Sequence, residues 1–158
     1  VPQVVDAVTV PVIAAGGIAD ARGVAAAFAL GACAVQIGTA YLFCPEANVP
    51  ALNKAALRSA LDDDTALTNL FTGRPARSII NRLMRDVGPL SSDAPAFPLA
   101  AGALAPLKAA AEAKGVTDFT SLWSGQSASL AREMPAAQPT RELASEALKR
   151  LRSLAGQS

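Results

Sequence analysis

The sequence predicts an α/β fold with parallel strands, and features of its first 40 residues carry this prediction. Two short apolar segments, PVIAA at residues 11–15 and AVQI at residues 34–37, have the composition of strands that are buried on both faces of a parallel sheet. Each segment ends in a tight glycine turn, Gly16-Gly17 and Gly38-Thr39. A segment with helical spacing separates them, and a strand, a helix and a parallel strand in this order form a right-handed βαβ unit in nearly all known proteins.

The helix between the two strands has recognisable ends. Asp20 is placed to cap its first turn, and Gly31 is placed to end it in a left-handed conformation. Val24, Ala27 and Phe28 lie at helical spacing, so we expect them to form its inward face.

After residue 45 the predicted elements are mainly helical. In chain order they are a helix over 50–61, an acidic turn at 62–64, a strand over 65–71, a helix over 77–87, a proline-rich connection at 88–98, an alanine-rich helix that ends at Gly115, and helices at 127–134 and from Thr140 onward. Two parallel strands cannot cover their own edges and faces. The sequence therefore predicts the C-terminal part of a larger fold.

The composition excludes several classes of function. Fourteen Lys and Arg against thirteen Asp and Glu give a net charge of +1, so the chain lacks the basic surface that nucleic-acid binding requires. The chain contains no histidine, so a mechanism that needs an imidazole base or ligand cannot be completed by these residues alone. Two cysteines do not form a disulfide scaffold and are typical of a cytoplasmic protein.

A membrane segment is not expected. Residues 23–45 carry no charge and are numerous enough to cross a bilayer. The stretch contains Gly31, Gln36 and Gly38, and its pattern changes from helical to strand-like halfway. The N-terminal residues also lack the order of a secretory signal, in which a charged region precedes an apolar one.

The two glycine turns form the candidate binding site. Glycine lets the backbone approach a ligand closely and lets its N–H groups point outward. A helix that begins near Asp20 would add unpaired N–H groups and a positive dipole end. In a βα barrel, neighbouring loops of this kind after the last two strands commonly bind phosphate. Two turns on successive strands, one of them containing Thr39, favour phosphate binding over the alternative that the glycines only turn the chain.

Four segments of the chain carry a family resemblance. They are PVIAAGGIADARG and GACAVQIGTAYL, which begin at residues 11 and 31, and FTGRPARSIINRL (71–83) and LWSGQSASLAREMPA (122–136). Together they resemble the nitronate monooxygenase family, formerly called 2-nitropropane dioxygenases. The first two are similar to its flavin-phosphate segment, although other phosphate-binding barrels carry similar glycine turns, and the last two are more particular to the family. The resemblance implies the C-terminal portion of an FMN-binding TIM (β/α)₈ barrel. Residues 1–47 would supply the last two strand–helix units, 48–115 a small and mainly helical subdomain, and 116–158 closing helices that pack on the barrel.

The resemblance also implies a function, the oxidation of alkyl nitronates with O₂ to a carbonyl compound and nitrite, with FMN as the cofactor. Matched by motif position, the residues expected at the FMN phosphate are Gly16, Gly17, Gln36, Ile37, Gly38 and Thr39. The family relies on a histidine in its N-terminal half, so we expect this chain to hold the phosphate end of the site, to carry no catalytic residue or metal ligand, and to need that missing half for activity.

Several alternatives stay open at this stage. On the same barrel, an FMN-dependent enoyl-acyl-carrier-protein reductase or an NADH:quinone reductase would use the same turns, and a truncated chain would serve only as a non-catalytic interaction module.

Gln36 either faces the flavin or bonds neighbouring backbone. Arg74 and Arg77 either grip an anion or, as we expect, fix a loop. Trp123 and Gln126 are expected near the cofactor rim. For Trp123 the alternative is a buried position in the core. Cys33 and Cys44 are expected to be inert packing residues.

Overall fold

A computed structural model describes residues 1–156 and shows a mixed α/β chain. Its elements in chain order are α1 (Pro2–Ala7), β1 (Ile13–Ala15), α2 (Ala21–Ala29), β2 (Ala34–Gln36), a 3₁₀ helix (Thr39–Phe43), α3 (Ala51–Ser59), β3 (Thr65–Thr68), β4 (Ala76–Ile79), α4 (Arg82–Val87), α5 (Ala100–Glu112), a 3₁₀ turn (Ala128–Leu130) and α6 (Ala137–Leu154). The chain forms two compact units. The first joins residues 1–48 to the segment from Leu130 onward, and the second comprises Val49–Ser129. The three-part division at residues 47 and 115 refers to a complete barrel and stays a prediction.

The first unit contains the predicted βαβ arrangement. β1 and β2 pair in parallel, with Ile13 opposite Ala34 and Ala15 opposite Gln36. α2 packs on one face of this sheet, where Ala14, Ala27 and Ala32 form a small core. Small side chains allow the helix backbone to approach the strands closely, and the turn at Gly31 (φ +94°) reverses the chain as expected.

Burial in this unit differs from the expected burial at two places. The strands are expected to be buried on both faces in a complete barrel, whereas in this chain only Ala14 of β1 is buried and Ile13 is 59% exposed. The reason is that α2 covers one face of the two-stranded sheet, while Ile13 and Ala15 point to the other. Phe28 was expected to face the core but is 39% exposed and lines a groove between α2 and α6.

The second unit is built around an antiparallel pair. β3 and β4 pair with Thr65 opposite Ile79, and Leu70, Phe71, Leu83 and Met84 form the core beside them. The helix predicted over 77–87 is wrong in its first part, because residues 76–79 pair with β3. The helix begins only at Arg82, where the side chain of Asn81 accepts a hydrogen bond from the N–H of Met84.

The helix expected over 127–134 is also wrong. Only a 3₁₀ turn forms there, at Ala128–Leu130, and α6 begins at Ala137 rather than at Thr140. Serine side chains compete for backbone hydrogen bonds, and Pro135 disfavours the helical conformation of the residue before it. Among residues 1–156, no helix combines the length and the apolar character that crossing a membrane requires.

Candidate functional site

The two glycine turns lie side by side at one end of the parallel sheet. Gly16 and Gly17 directly follow β1, and Gly38 lies two residues beyond the end of β2. Because Ala15 pairs with Gln36, the last residue of β1 stands opposite the last residue of β2. The carboxyl ends of both strands, and the turns that follow them, therefore meet at the same edge.

The turns leave open space in front of their backbone. Gly16 and Gly17 have φ values of +93° and +71°, a conformation that residues with a Cβ rarely adopt. A Cβ built on Gly16, Gly17 or Gly38 would meet no atom within 4 Å. Within residues 1–156, the N–H of Gly17 donates to no backbone or side-chain acceptor. An open cradle with an outward N–H suits a phosphate group, whose oxygens accept such hydrogen bonds.

The N-terminus of α2 does not contribute as expected. The Asp20 carboxylate accepts hydrogen bonds from the N–H groups of Arg22 (2.9 Å) and Gly23 (3.0 Å), so two of the helix's first donors are occupied. Arg22 also donates through Nε to the same carboxylate at 2.6 Å. Burial disfavours the charge on Asp20, but these hydrogen bonds outweigh it and hold the pKa of Asp20 below its ordinary value. Fewer donors are therefore available at this helix end, and the glycine turns remain the candidate anion site.

The remaining predicted residues fall on both faces of β2. Gln36 is exposed and lies on the face of Ala15 and Ala34, and its side chain makes no hydrogen bond to another residue within the described chain. No backbone bond of the Gln36 side chain is thus seen among the described residues, and its orientation toward a flavin stays a prediction. Ile37 lines the groove between α2 and α6, so its side chain points away from that face and only its backbone is available to a ligand there. Thr39 begins the 3₁₀ helix.

The arginines of the second unit have structural contacts. Arg77 donates through Nη1 to the backbone O and to Oγ1 of Thr65, both at 3.1 Å, which ties β4 to β3 as the loop-fixing interpretation expects. The Arg74 guanidinium lies 4.3 Å from the ring centre of Phe97. A cation over an aromatic face is stabilised by the ring's electron density.

Trp123, Gln126 and the two cysteines have mixed environments. Trp123 packs edge-on against Phe71 with ring centres 5.7 Å apart, yet it stays 37% exposed. Gln126 donates a hydrogen bond to the backbone oxygen of Asp62. Cys44 is buried, whereas Cys33 is exposed, so its assignment as a packing residue is wrong. Cys33 lies directly before β2.

Two residues near the turns were not singled out by the sequence. Tyr41 lies in the 3₁₀ helix after Gly38, and its hydroxyl is 2.7 Å from Oγ1 of Thr140. Glu46 accepts a hydrogen bond from the N–H of Ala136 at 2.9 Å. Both contacts join positions at least 90 residues apart, so no local pattern reveals them. Within the described residues, no group of three or more metal-ligating side chains is assembled.

Comparison with known proteins decides the family. The family model described as nitronate monooxygenase matches residues 1–146. The chain belongs to the nitronate monooxygenase family. The resemblance seen in the four sequence segments is thereby confirmed, and the family is one of enzymes.

Curated members of this family share high identity over most of the chain. A nitronate monooxygenase from Pseudomonas aeruginosa is 45% identical over 139 residues, which cover 87% of this chain and 40% of the relative. A probable nitronate monooxygenase from Staphylococcus aureus is 42% identical over 136 residues, which cover 86% of this chain and 38% of the relative. The chain therefore spans about two fifths of the length of these relatives.

Solved structures give the same picture. A nitroalkane oxidase from Streptomyces ansochromogenes superimposes with a TM-score of 0.84 at 43% identity, over 97% of this chain and 43% of that one. FabK from Thermotoga maritima superimposes with a TM-score of 0.76 at 34% identity, over 99% of this chain and 50% of that one. Nearly every residue of this chain thus has a counterpart in a protein about twice as long or longer.

Proposed function

We propose that this chain forms the phosphate end of an FMN site in a nitronate monooxygenase. The observation that carries the proposal is the pair of open glycine turns, which lie side by side at the carboxyl ends of two parallel strands. Membership of the nitronate monooxygenase family supports the proposal independently.

The fold that we propose is the C-terminal portion of a TIM (β/α)₈ barrel with a following subdomain. The parallel β1–β2 pair has an exposed face that carries Ile13 and Ala15, as barrel strands would have before the remaining strands close around them. The relatives are long enough to supply those strands, since this chain covers 38–40% of their length. The N-terminal barrel half is then a required partner in a complete site.

Each site residue has a proposed role. The N–H groups of Gly16 and Gly17 would bind phosphate oxygens from the β1 side, and Gly38 and Thr39 would bind them from the β2 side. A flavin phosphate at neutral pH carries nearly two negative charges, so hydrogen bonds to it are of the stronger, charge-assisted kind. Ile37 would contribute through its backbone, because its side chain lies in the groove between the helices.

Gln36 is proposed to approach the rest of the cofactor. Its side chain is exposed at the end of β2, on the face that carries Ala15. An amide there offers one acceptor and two donor hydrogens, which suits the polar edge of a flavin ring.

The chemistry would come from the bound cofactor, since FMN supplies the redox capacity that the oxidation of an alkyl nitronate by O₂ to a carbonyl compound and nitrite requires. This chain's residues would anchor and orient the phosphate tail and would thereby fix the position of the ring. With no histidine among its 158 residues, the chain lacks an imidazole to handle protons. We therefore propose that it has no turnover by itself.

FMN titration of the expressed chain tests this proposal. We expect FMN to bind with one-to-one stoichiometry and riboflavin, which lacks the phosphate, to bind at least about tenfold more weakly, the factor that one charge-assisted hydrogen bond carries. Addition of a nitronate is expected to release no nitrite. Equal affinity for FMN and riboflavin would contradict the phosphate site, and nitrite release would contradict the assignment of catalysis to the missing half.

A reductase on the same barrel is the second candidate. FabK supports it at 34% identity, but the nitroalkane oxidase and the Pseudomonas nitronate monooxygenase, at 43% and 45%, favour the first. The assay that separates them uses the protein with its N-terminal half. Nitronate-dependent oxygen uptake supports the first candidate, and NAD(P)H consumption with an enoyl thioester or a quinone supports the second. For either enzyme we propose a cytoplasmic location, which the exposed thiol of Cys33 supports.

A further inference from the structure

We propose that Tyr41 is a positioning residue for the phosphate-binding turn at Gly38-Thr39, held in place by a hydrogen bond to α6. This inference rests on the proposed function of that turn. Tyr41 is not expected to touch the phosphate. It acts through the backbone that it anchors.

Tyr41 is linked directly to the turn through its backbone. The N–H of Tyr41 donates to the backbone oxygen of Gly38 at 3.0 Å, which closes the first turn of the 3₁₀ helix. The position of Tyr41 therefore sets the orientation of the Gly38 and Thr39 peptide groups. A turn of 3₁₀ helix has few hydrogen bonds of its own, so an external anchor matters more here than in a long α-helix.

The Tyr41 hydroxyl donates the hydrogen bond that joins it to Thr140. Oγ1 of Thr140 lies 2.7 Å from the backbone oxygen of Ala136 and 2.7 Å from the hydroxyl of Tyr41. The Thr140 hydroxyl has one hydrogen, and the Ala136 oxygen can only accept. The Tyr41 hydroxyl is therefore the donor to Thr140. Phenylalanine at position 41 would remove this bond alone and leave the Thr140 hydroxyl bonded to Ala136.

A second contact holds the same segment. Glu46 accepts a hydrogen bond from the N–H of Ala136 at 2.9 Å, so both backbone groups of Ala136 are engaged by this network. Phe43 and Cys44, between the two anchors, are buried. The segment from Gly38 to Glu46 is thus fixed at its tyrosine and at its glutamate against the start of α6.

Precise placement matters for this kind of site. Phosphate is bound here by backbone N–H groups, whose hydrogen bonds weaken steeply when their angle departs from linear. A turn that loses its anchor samples other orientations, and binding then selects among them at a cost in affinity. Affinity for the phosphate-bearing ligand should fall while affinity for a phosphate-free ligand should not.

The experiment compares FMN with riboflavin on the 158-residue chain. Tyr41→Phe is expected to raise the dissociation constant for FMN about fivefold, the factor that one neutral hydrogen bond of ordinary strength carries. Riboflavin affinity should be unchanged. Thr140→Val should give the same loss, and the double variant should lose no more than either single variant. Thr140→Ser, which keeps the hydroxyl, and Ser145→Ala, which removes a hydroxyl elsewhere on α6, are the matched controls and should bind FMN as the unaltered chain does.

The possible outcomes separate this inference from the proposed function. If the unaltered chain binds FMN no better than riboflavin, the phosphate site itself is refuted and the role of Tyr41 with it. If the unaltered chain prefers FMN but Tyr41→Phe keeps that preference, only the role of Tyr41 is refuted. An equal loss of FMN and riboflavin affinity also refutes it, because it would show a general change of structure. A selective loss of FMN affinity in Tyr41→Phe and Thr140→Val supports the inference.

Discussion

Replacement of Gly17 by alanine should separate the cost of backbone strain from the loss of a binding site. Gly17 has φ +71°, and a residue with a Cβ loses roughly 1–2 kcal/mol in this conformation. The added Cβ would meet no atom within 4 Å, so no steric term adds to this value. We therefore expect the free energy of unfolding to fall by about 1–2 kcal/mol.

The effect of Gly17→Ala on FMN affinity should be larger than its effect on stability and should have a separate cause. The methyl group would occupy the open space where a phosphate oxygen is proposed to lie, and the N–H would turn away as the backbone relaxes. Loss of one charge-assisted hydrogen bond, about 1.5–3 kcal/mol, weakens FMN binding by at least about tenfold.

Gly115 provides a matched control. Its φ is +74°, and a Cβ built on it also meets no atom within 4 Å, but it follows α5 in the second unit. Gly115→Ala should therefore cost a similar free energy of unfolding and leave FMN affinity unchanged. Urea denaturation followed by circular dichroism measures the first quantity, and quenching of flavin fluorescence measures the second. The reasoning is refuted if both variants lose FMN affinity equally or if Gly17→Ala binds FMN as the unaltered chain does.

Three further predictions concern stability. Gly73→Ala should lower the free energy of unfolding by about 2–5 kcal/mol, since its Cβ would meet the backbone of Phe97 and φ is +85°. A loss below about 1 kcal/mol in a urea titration would contradict this. Asp20→Ala should cost about 1 kcal/mol at pH 7 because α2 loses its cap. The pKa of Asp20 is lower in the folded state than in the unfolded state. The Asp20 carboxylate therefore adds to the free energy of unfolding above its unfolded-state pKa, and this contribution is lost as the pH falls through its folded-state pKa. In a pH series of melting curves, the stability of Asp20→Ala should therefore approach that of the unaltered chain below about pH 4. A stability difference that stays constant with pH would contradict the proposed role of the Asp20 charge. Glu46→Gln keeps an acceptor for the N–H of Ala136, so its free energy of unfolding should fall by less than about 1 kcal/mol. If Glu46→Gln loses more stability than Glu46→Ala, the stabilising role of this hydrogen bond is refuted.

Local signals predicted the elements around the site well. The apolar segments before Gly16 and Gly38 do form parallel strands, Asp20 does cap α2, and Gly31 does reverse the chain. These features depend on residues a few positions apart, and glycine conformation and helix capping are governed by such short-range interactions.

Predictions that depended on distant partners were less successful. Residues 77–79 have helical spacing, yet they pair with β3, and a hydrogen bond from Ile79 to Leu122 extends the arrangement. Strand pairing is decided by the neighbouring chain more than by the segment's own pattern, so periodicity alone misassigned it. The anion site at the start of α2 was likewise over-predicted. Asp20 caps the helix as predicted, and the same carboxylate occupies two of the N–H groups that an anion at this helix end would need.

The sequence by itself determined the βαβ unit, the two glycine turns and the family, because strand composition, turn conformation and motif order are all properties of short segments. Only the tertiary structure showed that the turns meet with open space before them and that the start of α6 holds the segment after β2. The physical reason is that those relations join residues up to 99 positions apart. Such contacts form only when packing brings the elements together, and no short stretch of sequence encodes them alone.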